Sequence, residues 1–124
     1  MITIEQLKEI QQRAEKLKQY LAIDEKRVQL EEEELRTQDP GFWEDAKAAE
    51  AQMRKVKGIK AWIEGYEGVR SATEELQLAF EYFKEELVTE EEVDKFSYQL
   101  KELFNEIDKV NEIDVKVSEG IFSP

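Results

Sequence analysis

The sequence predicts an all-α fold: an antiparallel helical bundle or long helical hairpin, with an N-terminal helix or two packed on it. Three observations predict it. Ile59, Trp62, Tyr66, Val69, Thr73, Leu76, Phe80, Phe83 and Leu87 step by three and four residues without a miss, the spacing of one helix face. Val93, Phe96, Leu100, Leu103, Ile107 and Val110 repeat the pattern. Only a short break at Val88-Thr89 separates the two ladders, so the helices that carry them should lie antiparallel.

The first helix opens at Ile4, because Thr3 and Gln6 have the spacing of a capping box. Leu7, Ala14, Leu21, Val28 and Leu35 then recur every seven residues, joined by Ile10 and Leu17. The companion position turns polar at Asp24 and Glu31, which allows a break near Ile23-Asp24, with Asp24 as the cap of a second helix. Glu31 to Glu34 read as a solvated face. Asp39-Pro40-Gly41 ends this element, since proline pushes the residue before it out of the α region.

The next helix is expected from about Trp43, with Glu44 and Asp45 in its first turn, where acids meet the positive end of the helix dipole. Helical from Asp45 to Leu87, it would be about 63 Å long. Gly58, Gly65 and Gly68 weaken it and point to a bend or a close crossing. Thr89 and Glu92 form a second capping box ahead of the last helix. The helical domain is placed at residues 1–112. In the tail, 113–124, Ile113, Val115 and Val117 alternate with polar residues, but a lone strand has no partner, so a poorly ordered tail is expected.

Composition narrows the chemistry. The chain contains no cysteine and no histidine, which removes thiolate chemistry, Cys/His zinc sites and the usual proton shuttle near neutral pH. No nucleophile-base pair is visible, no cofactor is implied, and glutamates clustered on a helix fan out around its axis rather than converge on a metal. A non-enzyme is expected. The formal charge of −12 disfavours wholesale binding to nucleic acid or to an anionic membrane. The start of the chain reads as neither a signal peptide nor a span, and a cytoplasmic protein is expected.

Two local features remain as candidate sites. Arg54, Lys55, Lys57 and Lys60 form an island of four cations, with no acid between Ala51 and Ile63. The favoured reading is a solvated face paired with acids on a neighbouring helix; the alternative is limited contact with RNA phosphates. Phe42 and Trp43, after Pro40 and Gly41, are expected to fold back as a plug over the end of the bundle. The competing reading is an exposed partner anchor, a role tryptophan favours.

The stretch from Tyr20 to Val56, and above all the Asp-Pro-x-Phe-Trp-x-Asp pattern at Asp39, Pro40, Phe42, Trp43 and Asp45, resembles the N-terminal domain of bacterial peptide chain release factor 2, a class I release factor. The likeness continues through the stretch Glu85 to Asp94 and then fades. It implies a helical domain remote from codon reading and catalysis, docking near the stalk base of the large ribosomal subunit and contacting the class II release factor. The Gly-Gly-Gln loop and Ser-Pro-Phe tripeptide of that family are not in this sequence, so it is not expected to release peptides alone. A fragment, a truncated product and a stand-alone paralogue all fit. A monomer is expected, and the rival reading is a self-associating coiled-coil scaffold pairing through the 59-to-87 seam.

Overall fold

The computed structural model describes residues 1–111, with side chains to Lys109. The side chain of Val110 in the last ladder lies outside what is described, as do the alternation at Ile113, Val115 and Val117 and the tail at 113–124. Among those described, the order is α1 (Ile4–Tyr20), α2 (Ile23–Arg36), a 3-10 turn (Phe42–Glu44), α3 (Ala46–Lys84) and α4 (Glu90–Asn111), with no strand. The fold is all-α, with helices packed on one another. The described residues divide into two compact units, one of residues 1–17 with 67–111, the other of residues 18–66.

In the first unit, the start of α1 is fixed as the sequence predicts. The Thr3 backbone N–H donates to Gln6 Oε1 at 2.8 Å and the Gln6 N–H to Thr3 Oγ1 at 3.1 Å. Leu7, Ile10, Ala14 and Leu17 are buried, as are Val69, Leu76 and Phe80 of α3 and Val93, Leu100 and Ile107 of α4. Thr73, the polar member of the α3 ladder, is buried because its hydroxyl donates to the Val69 carbonyl at 2.7 Å. Gln11 bonds Gln77 at 2.9 Å across α1 and α3. A Cβ on Gly68 would lie 3.9 Å from Leu103 Cδ2, an ordinary contact, so α3 and α4 make no glycine-dependent crossing there.

The end of α3 departs from the expected ladder. The helix stops at Lys84, and Leu87 is 66% exposed. Glu86 adopts a left-handed conformation with φ 61°. The Glu86 N–H then bonds the Phe83 carbonyl at 3.0 Å and the Leu87 N–H bonds the Tyr82 carbonyl at 2.9 Å, a Schellman cap. Leu87 is thus the residue beyond a helix stop, not a core position. At the start of α4 the Glu92 N–H bonds Thr89 Oγ1 at 3.2 Å, but the reciprocal bond of the expected box is not made.

In the second unit, α1 and α2 are joined through Ala22, which is left-handed at φ 49° and is the N-cap of α2 without a side-chain cap bond. Asp24 therefore lies inside the first turn of α2 instead of capping it. Its carboxylate is 3.4 Å from Arg27 and 3.9 Å from Lys18. Lys26 Nζ donates to the Leu21 carbonyl near the end of α1, where a cation meets the negative end of the helix dipole.

The left-handed residue also resets the phase of the buried face. Ile23 is fully buried, and Lys26, Leu30 and Glu33 follow on its side of α2. Val28 and Leu35, which continue the heptad of α1 in the sequence, are 58% and 60% exposed. Beyond Pro40, Phe42 and Trp43 lie in the 3-10 turn, and Asp45 caps α3 with its carboxylate accepting from the Ala48 N–H at 3.1 Å. The helix therefore starts three residues later than the expected Trp43, and Glu44 and Asp45 precede it. It then runs without interruption through Gly58, Gly65 and Gly68 for 39 residues.

Candidate functional site

Helical spacing places the four cations along the first part of α3, and the second unit sets each in a different environment. Lys55 Nζ lies 3.2 Å from Glu33 Oε1, and Lys60 Nζ lies 3.4 Å from Glu34 Oε1, both acids of α2. Arg54 reaches back along its own helix to Glu50 at 3.7 Å. Lys57 is exposed and has no ion pair among the described residues. The geometry thus follows the paired-face reading for Lys55 and Lys60, while Arg54 and Lys57 present their charge outward.

Glu33 is the residue that the sequence misplaces. Expected in a solvated run, it is only 5% exposed, while Glu31 and Glu32 are exposed and Glu34 is half-buried. A buried carboxylate needs partners, and three are supplied. Gln52 Nε2 donates to Glu33 Oε2 at 2.6 Å, Lys55 approaches Oε1, and Arg36 stands 3.6 Å from Oε2. The Gln52 and Lys55 hydrogen bonds, helped by the Arg36 charge, hold the Glu33 carboxyl below its ordinary pKa despite its burial. The signal that could have found it is phase: counted from Ile23 by threes and fours, position 33 faces inward.

Between the outward cations lies a shallow groove of about 380 Å³, lined by Glu50, Met53, Arg54, Val56, Lys57 and Lys60. Met53 is 43% exposed and Val56 is buried, so thioether, valine and the aliphatic stems of the cations make an apolar floor under a charged rim.

The aromatic corner does not form the expected plug. Trp43 is 67% exposed and Phe42 is half-buried. The two rings pack edge to face, with centroids 4.7 Å apart and planes at 86°. Only a few residues separate the corner's proline from Asp45, and the backbone closes through Phe42 N–H to Asp39 carbonyl at 2.9 Å and Glu44 N–H to Gly41 carbonyl at 3.2 Å. That tight turn leaves Phe42 to shelter the base of Trp43 and points the indole outward.

Among the described residues no group of three or more Asp or Glu side chains is placed to hold a metal ion. Among the same residues no helix is long and apolar enough to cross a membrane.

The sequence is 31% identical over 116 residues to peptide chain release factor 2 of a Nitratiruptor species. This chain is similar to release factor 2. The aligned part is 90% of this chain and 29% of the relative, so the chain spans under a third of the length of the release factor it matches. Coverage of that extent carries the similarity to release factor 2 past Asp94, where the motif-based resemblance fades, because residues 1–94 alone would be a smaller share of the chain. No family model matches the sequence. No solved structure matches it.

Proposed function

We propose that this chain is a non-catalytic helical domain of a translation-termination factor, working in the cytoplasm by docking to the large ribosomal subunit near the stalk base and to the class II release factor. One observation carries the reading: the similarity to release factor 2 runs along 90% of the chain and takes in the Asp39-Pro40-x-Phe42-Trp43 corner. Physical features support it. The reactive residue types are few, with no cysteine or histidine, and neither Gly-Gly-Gln nor Ser-Pro-Phe occurs in these 124 residues. Outward charge and apolar surface are found together on one stretch of α3, as a docking face requires.

The rival reading, a scaffold self-associating through the 59-to-87 seam, has less support. Ile59, Tyr66, Val69, Leu76 and Phe80 are already buried within one chain, so that seam has little apolar surface left for a second copy. A monomer follows.

The test is co-sedimentation of the purified chain with bacterial ribosomes, with and without excess full-length release factor 2. Saturable pelleting that the full-length factor displaces is expected. Replacing Arg54, Lys55, Lys57 and Lys60 together by alanine should weaken pelleting while leaving the chain folded by circular dichroism. Pelleting that never saturates, or that release factor 2 fails to displace, overturns the reading.

A further inference from the structure

The docking reading leaves open what α3 would touch, and the groove on that helix narrows the answer. Its floor is Met53, Val56 and the methylene stems of Arg54, Lys57 and Lys60. Its volume is about 380 Å³. Its rim carries three cations against the single acid Glu50, which already pairs with Arg54 at 3.7 Å. Lys57 is exposed with no ion pair among the described residues, and Lys60 is shared with Glu34 at 3.4 Å. The rim is therefore short of negative charge in a chain whose formal charge is −12.

We propose that this groove seats an acidic amphipathic helix of a partner protein. The inference rests on the docking reading and names the partner chemistry of that face. An apolar floor rewards leucine-like anchors at i, i+3/i+4 spacing, and flanking carboxylates answer the cationic rim, the helix-in-groove mode of recognition. RNA suits the surface less well. Its phosphates would take the cations but leave the exposed Met53 with nothing apolar to cover it, and no aromatic ring lines the groove for a base to stack on. The acids elsewhere on the chain do not forbid an acidic partner, since charges farther than about 8 Å are largely screened at physiological salt.

The probe is a fluorescein-labelled designed helix of about four turns, with leucines on one face and glutamates beside them. Its controls are the same residues scrambled, the same helix with lysine for glutamate, and a single-stranded RNA oligonucleotide. The chain is used whole. Anisotropy should show saturable binding of the acidic helix, weaker by about tenfold or more for Lys57→Glu and for Met53→Asp, each a loss of one full unit in log Kd. Both substituted positions are exposed, and an unchanged circular-dichroism melt checks that the fold is kept. Equal binding of the scrambled or lysine peptide, tighter binding of the RNA, no binding at all, or indifference to Lys57→Glu overturns the inference. Ribosome pelleting of the unsubstituted chain separates the two ideas. Failure to bind the acidic helix, with saturable and displaceable pelleting, removes this inference alone, and binding of the acidic helix with pelleting that never saturates removes the ribosomal reading alone.

Discussion

Gln52 grips Glu33 twice, its Nε2 donating to the Glu33 carbonyl at 2.9 Å and to Glu33 Oε2 at 2.6 Å. The pair joins α3 to α2 and explains how a carboxylate is tolerated at a buried position. It also has a pH signature. Because the Gln52 and Lys55 hydrogen bonds lower the folded-state pKa of Glu33 beneath 4.5, its contribution to stability is complete above that value. The contribution is lost as pH falls through the lower, folded value. Urea midpoints followed from about pH 7 to about pH 3 should therefore drop on the acid side. Gln52→Leu should shift that drop to higher pH, and Glu33→Gln should flatten it. An acid limb identical in all three proteins would show that Glu33 is not held this way.

Phe104 is fully buried, whereas Phe83 is only half-buried. Phe104→Ala should cost about 3–5 kcal/mol by urea denaturation, and Phe83→Ala clearly less. Leu87→Ala should stay within about 0.5 kcal/mol, because that side chain already stands in solvent. Equal losses at all three would mean that the ladder read from the sequence, and not the observed burial, describes the core.

Those three residues show how much of the fold was legible and why the rest was not. The ladders from Leu7 to Leu17 and from Ile59 to Phe80 appear in the sequence because a helix facing one neighbour buries one narrow line of residues. In α4 the buried set is Val93, Ser97, Leu100, Phe104, Ile107 and Asp108, a wider stripe than a single three-four ladder describes, so Phe104 was passed over for Leu103. The phase of α2 was illegible for another reason. A left-handed alanine leaves no mark in composition, yet Ala22 turns Val28 and Leu35 outward and Glu33 inward. At the candidate site the four cations were visible as an island, but their partners on α2 depended on that hidden phase. The outward turn of Trp43 depended on the 3-10 geometry of its corner.

Gly58 lies inside α3, and a Cβ built there would meet nothing within 4 Å. Its cost to the helix is therefore not repaid by packing within the chain. Gly58→Ala should stabilise the protein by roughly 0.5–1 kcal/mol, raising Tm by a few degrees for a domain of this size. A fall in Tm would show that the α3 backbone needs glycine at this point for a reason other than space.

Glu86 offers a sharper test, because its backbone and its charge are both at odds with its position. At φ 61° it occupies the left-handed C′ position of the α3 Schellman cap, where a residue with a Cβ is disfavoured by roughly 1–2 kcal/mol relative to glycine. Its carboxylate also sits beside Glu85 at the negative end of the helix dipole. Glycine relieves the backbone and removes a charge at once, but an unfolded chain with one more glycine is harder to order. The net effect of Glu86→Gly should be a gain of about 0.5–1 kcal/mol by urea denaturation. Glu86→Gln separates the causes: it removes only the charge, so it should gain a smaller amount, and less still in high salt. If glutamine gains as much as glycine, electrostatics rather than backbone strain governs this corner. If neither gains, the helix does not end in the left-handed cap.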